Sequence, residues 1–344
     1  MRQLTLRGLF GCNDDECVAR ARSGSLEVYD LFCGAGGFST GARTAGCTVV
    51  FACDSSVEAI ETHKRNHPST THRVCTLPCA LPLPTDGRPF HLHGSPPCQK
   101  FSSVNKGLGD WRHKDAAIDM VEWYLEYALA SRATSWSMEQ VPAREVLEVV
   151  ERVRRKHSRR MAYAVLRLDK LGVPQTRKRL VAGSPHLIAK LLRESRQQPT
   201  RTVRSVIAKP RGTHVRGGNK KIRQTQRIVT LADGSWRYEY DSAKWSDFCC
   251  PIDGLSPTVT GRHALNWITG NGEGGNRSVM HPWELAALQT FPLGYKLPTN
   301  KYQAYLQVGN AVPPRVAELM LHGENRNSPV SPSLRRSPGP IGEA

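Results

Sequence analysis

Residues 26–66 constrain the fold more than any other segment, because strands and helices alternate there around a glycine-rich turn. Apolar, β-prone residues predict strands at 26–32 and 48–53, and helices are predicted at 38–45 and 56–66. The turn between the first strand and the first helix has the sequence CGAGG. A β-α-β-α opening of this kind favours a parallel, doubly wound sheet.

The glycine turn itself predicts a ligand site. Gly34, Gly36 and Gly37 let the backbone approach a ligand closely and point N–H groups at it. Asp54 ends the next predicted strand, at the spacing from which a carboxylate reaches ribose hydroxyls. The dinucleotide fingerprint would need glycine where Ser39 stands, so the turn favours a nucleoside ligand without a pyrophosphate. Glycine turns that bind nothing are common, and that alternative stays open on the turn alone.

A second candidate site follows a short predicted strand at 89–93. Pro96 and Pro97 restrict the backbone just ahead of Cys98, which holds the thiol in a rigid loop at the carboxyl edge of the sheet. Such a thiol is a candidate nucleophile. The ordinary alternative for a single cysteine is a small buried hydrophobic residue.

Charge separates one part of the chain from the rest. The 344 residues carry 48 Lys and Arg against 30 Asp and Glu, a net charge of +18. Residues 151–230 contain 23 of the basic residues and only three acids, so this block holds the whole excess. Such a footprint is typical of a surface that binds nucleic acid, although a solvated basic surface would look the same.

Length and composition predict about two domains in an intracellular, soluble protein. No apolar run is long enough to span a membrane, and the ten cysteines are expected to be reduced thiols. A helix is predicted at 116–132 and a strand at 135–138. The segment from residue 186 to 257 is predicted to form a smaller β-rich unit, with β-prone clusters near Val203, Ile228, Trp236 and Trp245. Helices are predicted again at 282–290 and 314–321.

Six motifs, taken together and in order, resemble those of the cytosine-C5 DNA methyltransferases. They are DLFCGAGGFS at 30–39, GSPPCQKFS at 94–102, EQV at 139–141, GVPQTRKR at 172–179, ELAALQTFPLGY at 284–295 and QVGNAVPP at 307–314. The resemblance runs from residue 27 to about residue 321. It implies a Rossmann-like, doubly wound methyltransferase sheet with a smaller β-rich target-recognition domain.

The resemblance also implies how the chain is divided. Residues 1–25 would be an N-terminal extension, and 26–185 would be a catalytic domain that binds S-adenosyl-L-methionine and is completed by 273–322. Residues 186–272 would form the target-recognition domain, and 323–344 a disordered tail rich in Ser, Pro and Gly.

The family's chemistry assigns the catalytic roles. Cys98 would add to carbon 6 of a cytosine flipped out of the duplex, which makes carbon 5 able to accept a methyl group. Glu139 would hold the base at N3, and Arg177 or Arg179 would contact the base carbonyl and steady Glu139. The cofactor site would be formed by Phe32, Gly34, Gly36, Gly37, Asp54, Pro97 and Asn310. DNA contacts would come from Gln99, Ser102 and Gln175, and no metal site is expected.

Two departures from the family pattern affect these assignments. Gln140 stands where the family has asparagine, one methylene shorter. The aspartate that meets the adenine amino group in the family is missing from residues 74–78. These departures leave a catalytically inactive nucleic-acid-binding relative as one rival function. The other rival is a tRNA cytosine-5 methyltransferase, because that branch of the family keeps the same chemistry.

The resemblance further implies a monomer that acts on double-stranded DNA away from membranes, with a cognate restriction endonuclease as an open alternative. A prokaryotic or phage protein would be cytoplasmic and associated with the nucleoid, and one from a eukaryotic or viral genome would be nuclear or viral.

Overall fold

A computed structural model describes residues 25–97, 112–217, 224–230, 236–242, 249–261, 264–269 and 276–324. Its main feature is a seven-stranded sheet. The strands are β1 (Glu27–Leu31), β2 (Thr48–Asp54), β3 (Thr71–Val74), β4 (Phe90–Gly94), β5 (Ser135–Gln140), β6 (Ala162–Arg167) and β7 (Lys178–Gly183). They lie in the order β3-β2-β1-β4-β5-β7-β6. The first five are parallel, whereas β7 runs antiparallel to both of its neighbours.

Helices cover both faces of this sheet, which confirms the predicted doubly wound α/β class. They are α1 (Gly37–Thr44), α2 (Val57–Asn66), α3 (Arg112–Ala130), α4 (Arg144–Lys156), α5 (Pro185–Glu194) and, near the end of the described chain, α9 (Pro314–Leu321). Apolar residues of α3 and α4 share one buried core with β4 and β5. Apolar residues of α1, α5 and α9 form the core on the opposite face. The central strands β4 and β5 are fully buried because a helical layer lies on either side, whereas the edge strand β3 is mostly exposed.

A smaller unit follows α5. Its elements are the short helix α6 (Val203–Val206), β8 (His214–Arg216), β9 (Gln224–Thr230), β10 (Trp236–Ser242), β11 (Cys249–Pro251), β12 (Asn266–Thr269), β13 (Asn276–Val279), α7 (Pro282–Leu288) and α8 (Lys301–Asn310). The strand order of its sheet is β11-β8-β12-β13, and β9 and β10 form a separate antiparallel pair. The β-prone cluster near Val203 was expected to be extended, but it forms the short helix. The cluster near Trp245 lies outside the described residues.

The packing differs from the predicted domain boundaries in two places. Leu187, Ile188 and Leu191 of α5 are buried against the large sheet, so the packing favours a boundary after Glu194 rather than at residue 186. Helices α7 and α8 contribute buried residues to the core of the smaller unit, whereas Val312 and α9 pack against the large sheet. The predicted extension and tail lie outside the described residues, apart from residues 25, 323 and 324.

Part of the basic block is neutralised within the fold. Arg152 of α4 lies 2.6 Å from Glu122 of α3, and Lys156 lies 3.4 Å from Glu126. Arg154 lies 2.7 Å from Glu151 within α4. The basic residues of α4 therefore supply less free charge for DNA than their number in the sequence indicates. In the described part of the chain, no helix is long and apolar enough to cross a membrane.

Candidate active site

The glycine turn lies between the end of β1 and the start of α1. Phe32, Gly34 and Gly36 all have positive φ angles, of 56°, 52° and 87°. Gly36 is the residue that precedes α1, and no side chain of the described residues caps this helix N-terminus. A Cβ atom added to Gly34 would meet none of the described residues within 4 Å, so the turn borders open space within that part of the chain. The result is a turn and a helix start with a space beside Gly34 that a ligand can enter.

Asp54 joins this turn to the next loop. Its Oδ2 accepts a hydrogen bond of 2.9 Å from the Gly34 N–H, and its Oδ1 accepts one of 2.9 Å from the Ser56 N–H. A carboxylate has about four acceptor positions, so two remain for ribose hydroxyls. Ser56 also caps α2. The strand-end carboxylate and the glycine turn are therefore held as one unit.

The opposite wall of the turn comes from the C-terminal part of the chain. A Cβ on Gly37 would lie 2.1 Å from the Val312 carbonyl oxygen, so only glycine allows this approach. The Tyr295 hydroxyl donates a hydrogen bond to the Ala35 carbonyl. Asn310 is the last residue of α8, just before this contact, and is exposed. The predicted cofactor residues Gly37 and Asn310, far apart in sequence, therefore lie near one edge of the sheet.

Glu139 and Arg179 meet on neighbouring strands β5 and β7. The Arg179 Nε atom lies 2.8 Å from Glu139 Oε1. Both side chains are largely buried. This contact is an ion pair without the angles of a hydrogen bond, and Oε1 accepts no hydrogen bond among the described residues. A buried carboxyl oxygen in this state is suited to pair with a bound base, by accepting a hydrogen bond from an amino group or by sharing a proton with a ring nitrogen.

The segment leading to Cys98 lies beside this pair. Gln140, which follows Glu139, donates a hydrogen bond of 2.9 Å from Nε2 to the Pro96 carbonyl. Its Oε1 accepts one of 2.7 Å from the Val141 N–H. Pro97 is exposed. Cys98, Gln99 and Ser102 lie outside the described residues, so the roles predicted for them stay predictions.

Arg177, predicted as an alternative to Arg179 for the contact with the base, donates hydrogen bonds to backbone carbonyls. Its guanidinium is fully buried and donates hydrogen bonds of 2.8 Å to Val259 O, 3.2 Å to Gly309 O and 3.3 Å to Ala311 O. These carbonyls belong to the smaller unit and to the segment at the end of α8. The side chain therefore ties the two parts of the protein together.

Gln175 also differs from its expected role in DNA contact. Its side chain is completely buried, and Nε2 donates to Leu288 O at 3.0 Å and to Gln289 Oε1 at 2.8 Å. Its Oε1 accepts a hydrogen bond of 3.0 Å from the Val259 N–H. With its amide engaged on both sides by protein groups, Gln175 has no free surface for DNA in this arrangement.

A buried polar chain near the turn was not predicted. Ser39 donates a hydrogen bond of 2.6 Å to Asp30 Oδ2, and His63 Nε2 lies 3.0 Å from the Ser39 hydroxyl. Burial raises the pKa of Asp30 to about 7. The signal in the sequence is Ser39 itself, which stands where the dinucleotide fingerprint has glycine. The serine is needed here to pair a buried carboxyl group.

The β1-β2-β3-β4-β5 parallel core, the reversed β7 and the glycine turn after β1 define a Rossmann-like methyltransferase fold. The chain belongs to the C-5 cytosine-specific DNA methylase family, whose model matches residues 26–122 and 153–322. It is therefore an enzyme of the DNA cytosine-5 methyltransferase class, as the sequence resemblance predicted.

Individual relatives agree with this assignment. The type II methyltransferase M.HgiDI of Herpetosiphon aurantiacus is 26% identical over 314 residues, which cover 85% of this chain and 92% of the relative. M.HindV of Haemophilus influenzae is 26% identical over 317 residues, covering 86% and 95%. A DNA modification methyltransferase encoded in an E. coli prophage superposes with a TM-score of 0.59 at 18% identity, covering 88% of this chain and 99% of that one. At that identity the superposition bears on the fold alone.

Proposed function

We propose that this protein transfers a methyl group from S-adenosyl-L-methionine to carbon 5 of a cytosine in double-stranded DNA. The observation that carries the proposal is the buried Glu139–Arg179 pair, one residue away from the Gln140 side chain that holds the segment leading to Cys98. The order of residues along the chain would therefore bring an acid, a guanidinium and a thiol to the same edge of the sheet.

The residues around the glycine turn fit the proposed cofactor. The open space at Gly34, the uncapped start of α1 and the two remaining acceptor positions of Asp54 suit a nucleoside with a charged amino-acid portion. S-Adenosyl-L-methionine would supply an electrophilic methyl group. Phe32, Gly36, Gly37, Pro97 and Asn310 would complete its site.

The protein's own side chains would activate the base. The Cys98 thiolate would form a bond to carbon 6, and the electron pair displaced from the C5–C6 double bond would make carbon 5 nucleophilic. A proton held between Glu139 and N3 would neutralise the negative charge that develops there. Arg179 would hold Glu139 in place and reach the base carbonyl. Carbon 5 would take the methyl group, which leaves S-adenosyl-L-homocysteine. Transfer of the C5 proton to water and departure of the Cys98 thiolate from carbon 6 would then restore the double bond.

Binding of the DNA would draw on both parts of the chain. Exposed basic residues between 151 and 230 would neutralise phosphates, and the smaller unit would read base edges. Trp267 is not available for stacking on bases, because it is fully buried and donates a hydrogen bond of 3.0 Å to Glu284 Oε1. Flipping the cytosine would bring it within reach of Cys98.

The proposal can be tested with radiolabelled methyl donor. Purified protein would be incubated with unmethylated genomic DNA prepared by amplification, and in parallel with a pool of transcribed tRNA. We expect label in the DNA, cytosines protected from bisulfite conversion within one short motif, and no label with the Cys98→Ser variant. Label in tRNA alone would replace DNA with tRNA as the substrate. Binding of the methyl donor without transfer to either nucleic acid would favour the inactive relative.

A further inference from the structure

Two buried histidines on β4 form a continuous hydrogen-bonded chain with serines of β5. His91 Nδ1 lies 2.8 Å from the Ser135 hydroxyl, and His91 Nε2 lies 2.9 Å from the Ser137 hydroxyl. His93 Nδ1 lies 2.9 Å from the same Ser137 hydroxyl, and His93 Nε2 lies 3.0 Å from the Ser95 hydroxyl. Ser95 is the first residue after β4 and the third before Cys98.

This chain is uncharged and can be fully paired. Burial lowers the pKa of His91 to about 3 and lowers the pKa of His93 well below its usual value. A neutral imidazole has one donor and one acceptor, and so does a hydroxyl within the chain. All four contacts are therefore satisfied when every group donates in the same direction. The ring of Phe38, next to the glycine turn, stacks on His93 with centroids 3.5 Å apart.

The same short segment is held from a second side. The Ser95 N–H donates a hydrogen bond of 3.2 Å to the Leu31 carbonyl, next to the glycine turn. Gln140 donates its 2.9 Å hydrogen bond to the Pro96 carbonyl from β5. Together with the contact between His93 and Ser95, these hydrogen bonds hold residues 95 and 96 from β1, β4 and β5, at the point where the chain leaves the sheet toward Cys98.

We propose that Ser95 and Gln140 are positioning residues that set the path of the backbone into Cys98. This inference rests on the proposed function. Ser95 would act through the His93 side chain, and Gln140 through the Pro96 carbonyl. A displacement of a reacting group by about 1 Å can reduce a rate about 100-fold, so loss of either contact would slow the chemical step without removing a group that touches the base.

The test uses Ser95→Ala and Gln140→Leu, with Ser135→Ala as the matched control. Ser135 ends the same chain about 13 Å from Ser95 along the strand direction, so its variant loses a similar hydrogen bond far from the nucleophile. For each variant, kcat and KM for duplex DNA, the dissociation constant of the methyl donor and the rate of covalent trapping on DNA containing 5-fluorocytosine would be measured. Urea denaturation would show how much stability each variant has lost.

We expect kcat and the trapping rate to fall about 10- to 100-fold in Ser95→Ala and in Gln140→Leu. KM for DNA and the binding of the methyl donor would change less than about threefold, and Ser135→Ala would keep kcat within about twofold of the wild type while losing stability. Ser95→Thr, which keeps the hydroxyl, would restore the rate. If Gln140→Leu proved too unstable to assay, Ser95→Ala and Ser95→Thr would still decide the matter.

Two results would overturn the inference while the proposed function stands. In the first, the wild type is active and Ser95→Ala and Gln140→Leu have the same kcat as the wild type. In the second, kcat of Ser135→Ala is as low as that of Ser95→Ala. A wild-type protein that neither transfers methyl groups to DNA nor is trapped on 5-fluorocytosine DNA would overturn the proposed function, and this inference with it.

Discussion

At the scale of single residues, two arginines in one motif have different surroundings. Arg179 points from β7 to the Glu139 carboxylate, and Arg177, two positions earlier, is buried among three backbone carbonyls. The motif alone does not separate them, because both are arginines on a segment that enters the same strand. Their partners assign Arg179 to the proposed chemistry and Arg177 to the link with the smaller unit.

We predict that Arg177→Met lowers the free energy of unfolding by about 3 kcal/mol or more, because buried carbonyls lose a charged donor. Arg179→Lys keeps a positive charge near Glu139 and would lose less than about 1 kcal/mol of stability, but its kcat would fall at least about tenfold, because lysine cannot reproduce the planar guanidinium. Urea denaturation and methyl-transfer kinetics on both variants check this. An Arg177→Met protein that is as stable as the wild type yet inactive would show that Arg177 acts in the reaction and not in the link with the smaller unit.

At the scale of elements, the glycine turn depends on how closely α9 approaches α1. A Cβ on Gly41 would lie 2.0 Å from the Pro314 carbonyl oxygen and 2.8 Å from the Ala317 Cβ. Gly37 on the same helix would meet the carbonyl of Val312, two residues before α9, if it carried a Cβ atom. Two glycines one helical turn apart therefore let the C-terminal segment lie directly on α1 and close the large domain.

Gly41→Ala tests this contact. In an exposed helix this substitution would add stability, because alanine is the better helix former. Here the backbone carbonyl of Pro314 cannot move cheaply, so we predict a loss of about 1–3 kcal/mol in the free energy of unfolding. Thermal unfolding measures it, with Thr44→Ala at an exposed position of α1 as the control, expected within about 0.5 kcal/mol of the wild type. A more stable Gly41→Ala protein would show that the helices are not in close contact.

At the scale of the whole molecule, buried histidines determine how stability responds to acid. Burial lowers the pKa of His91 to about 3 and of His67 to about 4, and lowers those of His63 and His93 well below 6.5. In the unfolded chain each would titrate near 6.5. Their contribution to stability is therefore complete above pH 6.5 and is lost as the pH falls toward 3. The pKa of Asp30 is raised to about 7, so this group makes the protein more stable as the pH falls from 7 to 4. Its effect is smaller than the combined effect of the four buried histidines.

The free energy of unfolding is therefore predicted to fall by at least about 1.4 kcal/mol for each pH unit between 6.5 and 4.5. In His91→Gln the free energy of unfolding would fall less steeply, by about 1.4 kcal/mol per pH unit, because the unfolded chain binds one proton fewer. Urea denaturation at pH 6.5, 5.5 and 4.5 measures both slopes. Equal slopes for the wild type and His91→Gln would contradict the assignment of His91 as a neutral, buried group.

Local patterns in the sequence were enough to predict the elements that hold the site. The strands and helices of residues 26–66, the strand before Gly94 and the helix α9 were predicted to within a few residues, because periodicity and turn residues are local properties. The proximity of Asp54 to the glycine turn was also predictable, since parallel strands end at the same edge of a sheet. The motifs, taken in order, identified the family.

Contacts between distant segments were decided only by the tertiary structure. The sequence placed α5 in the smaller unit, treated Arg177 and Arg179 as alternatives and assigned Gln175 to DNA, because each depends on what packs against it from elsewhere in the chain. It also gave no sign that His91 and His93 would pair with serines of a strand more than forty residues away. The sequence by itself determined which residue types follow each strand. The packing of β5, β7 and the C-terminal segment decided which of these side chains contact one another, because contacts between distant residues form only in the folded chain.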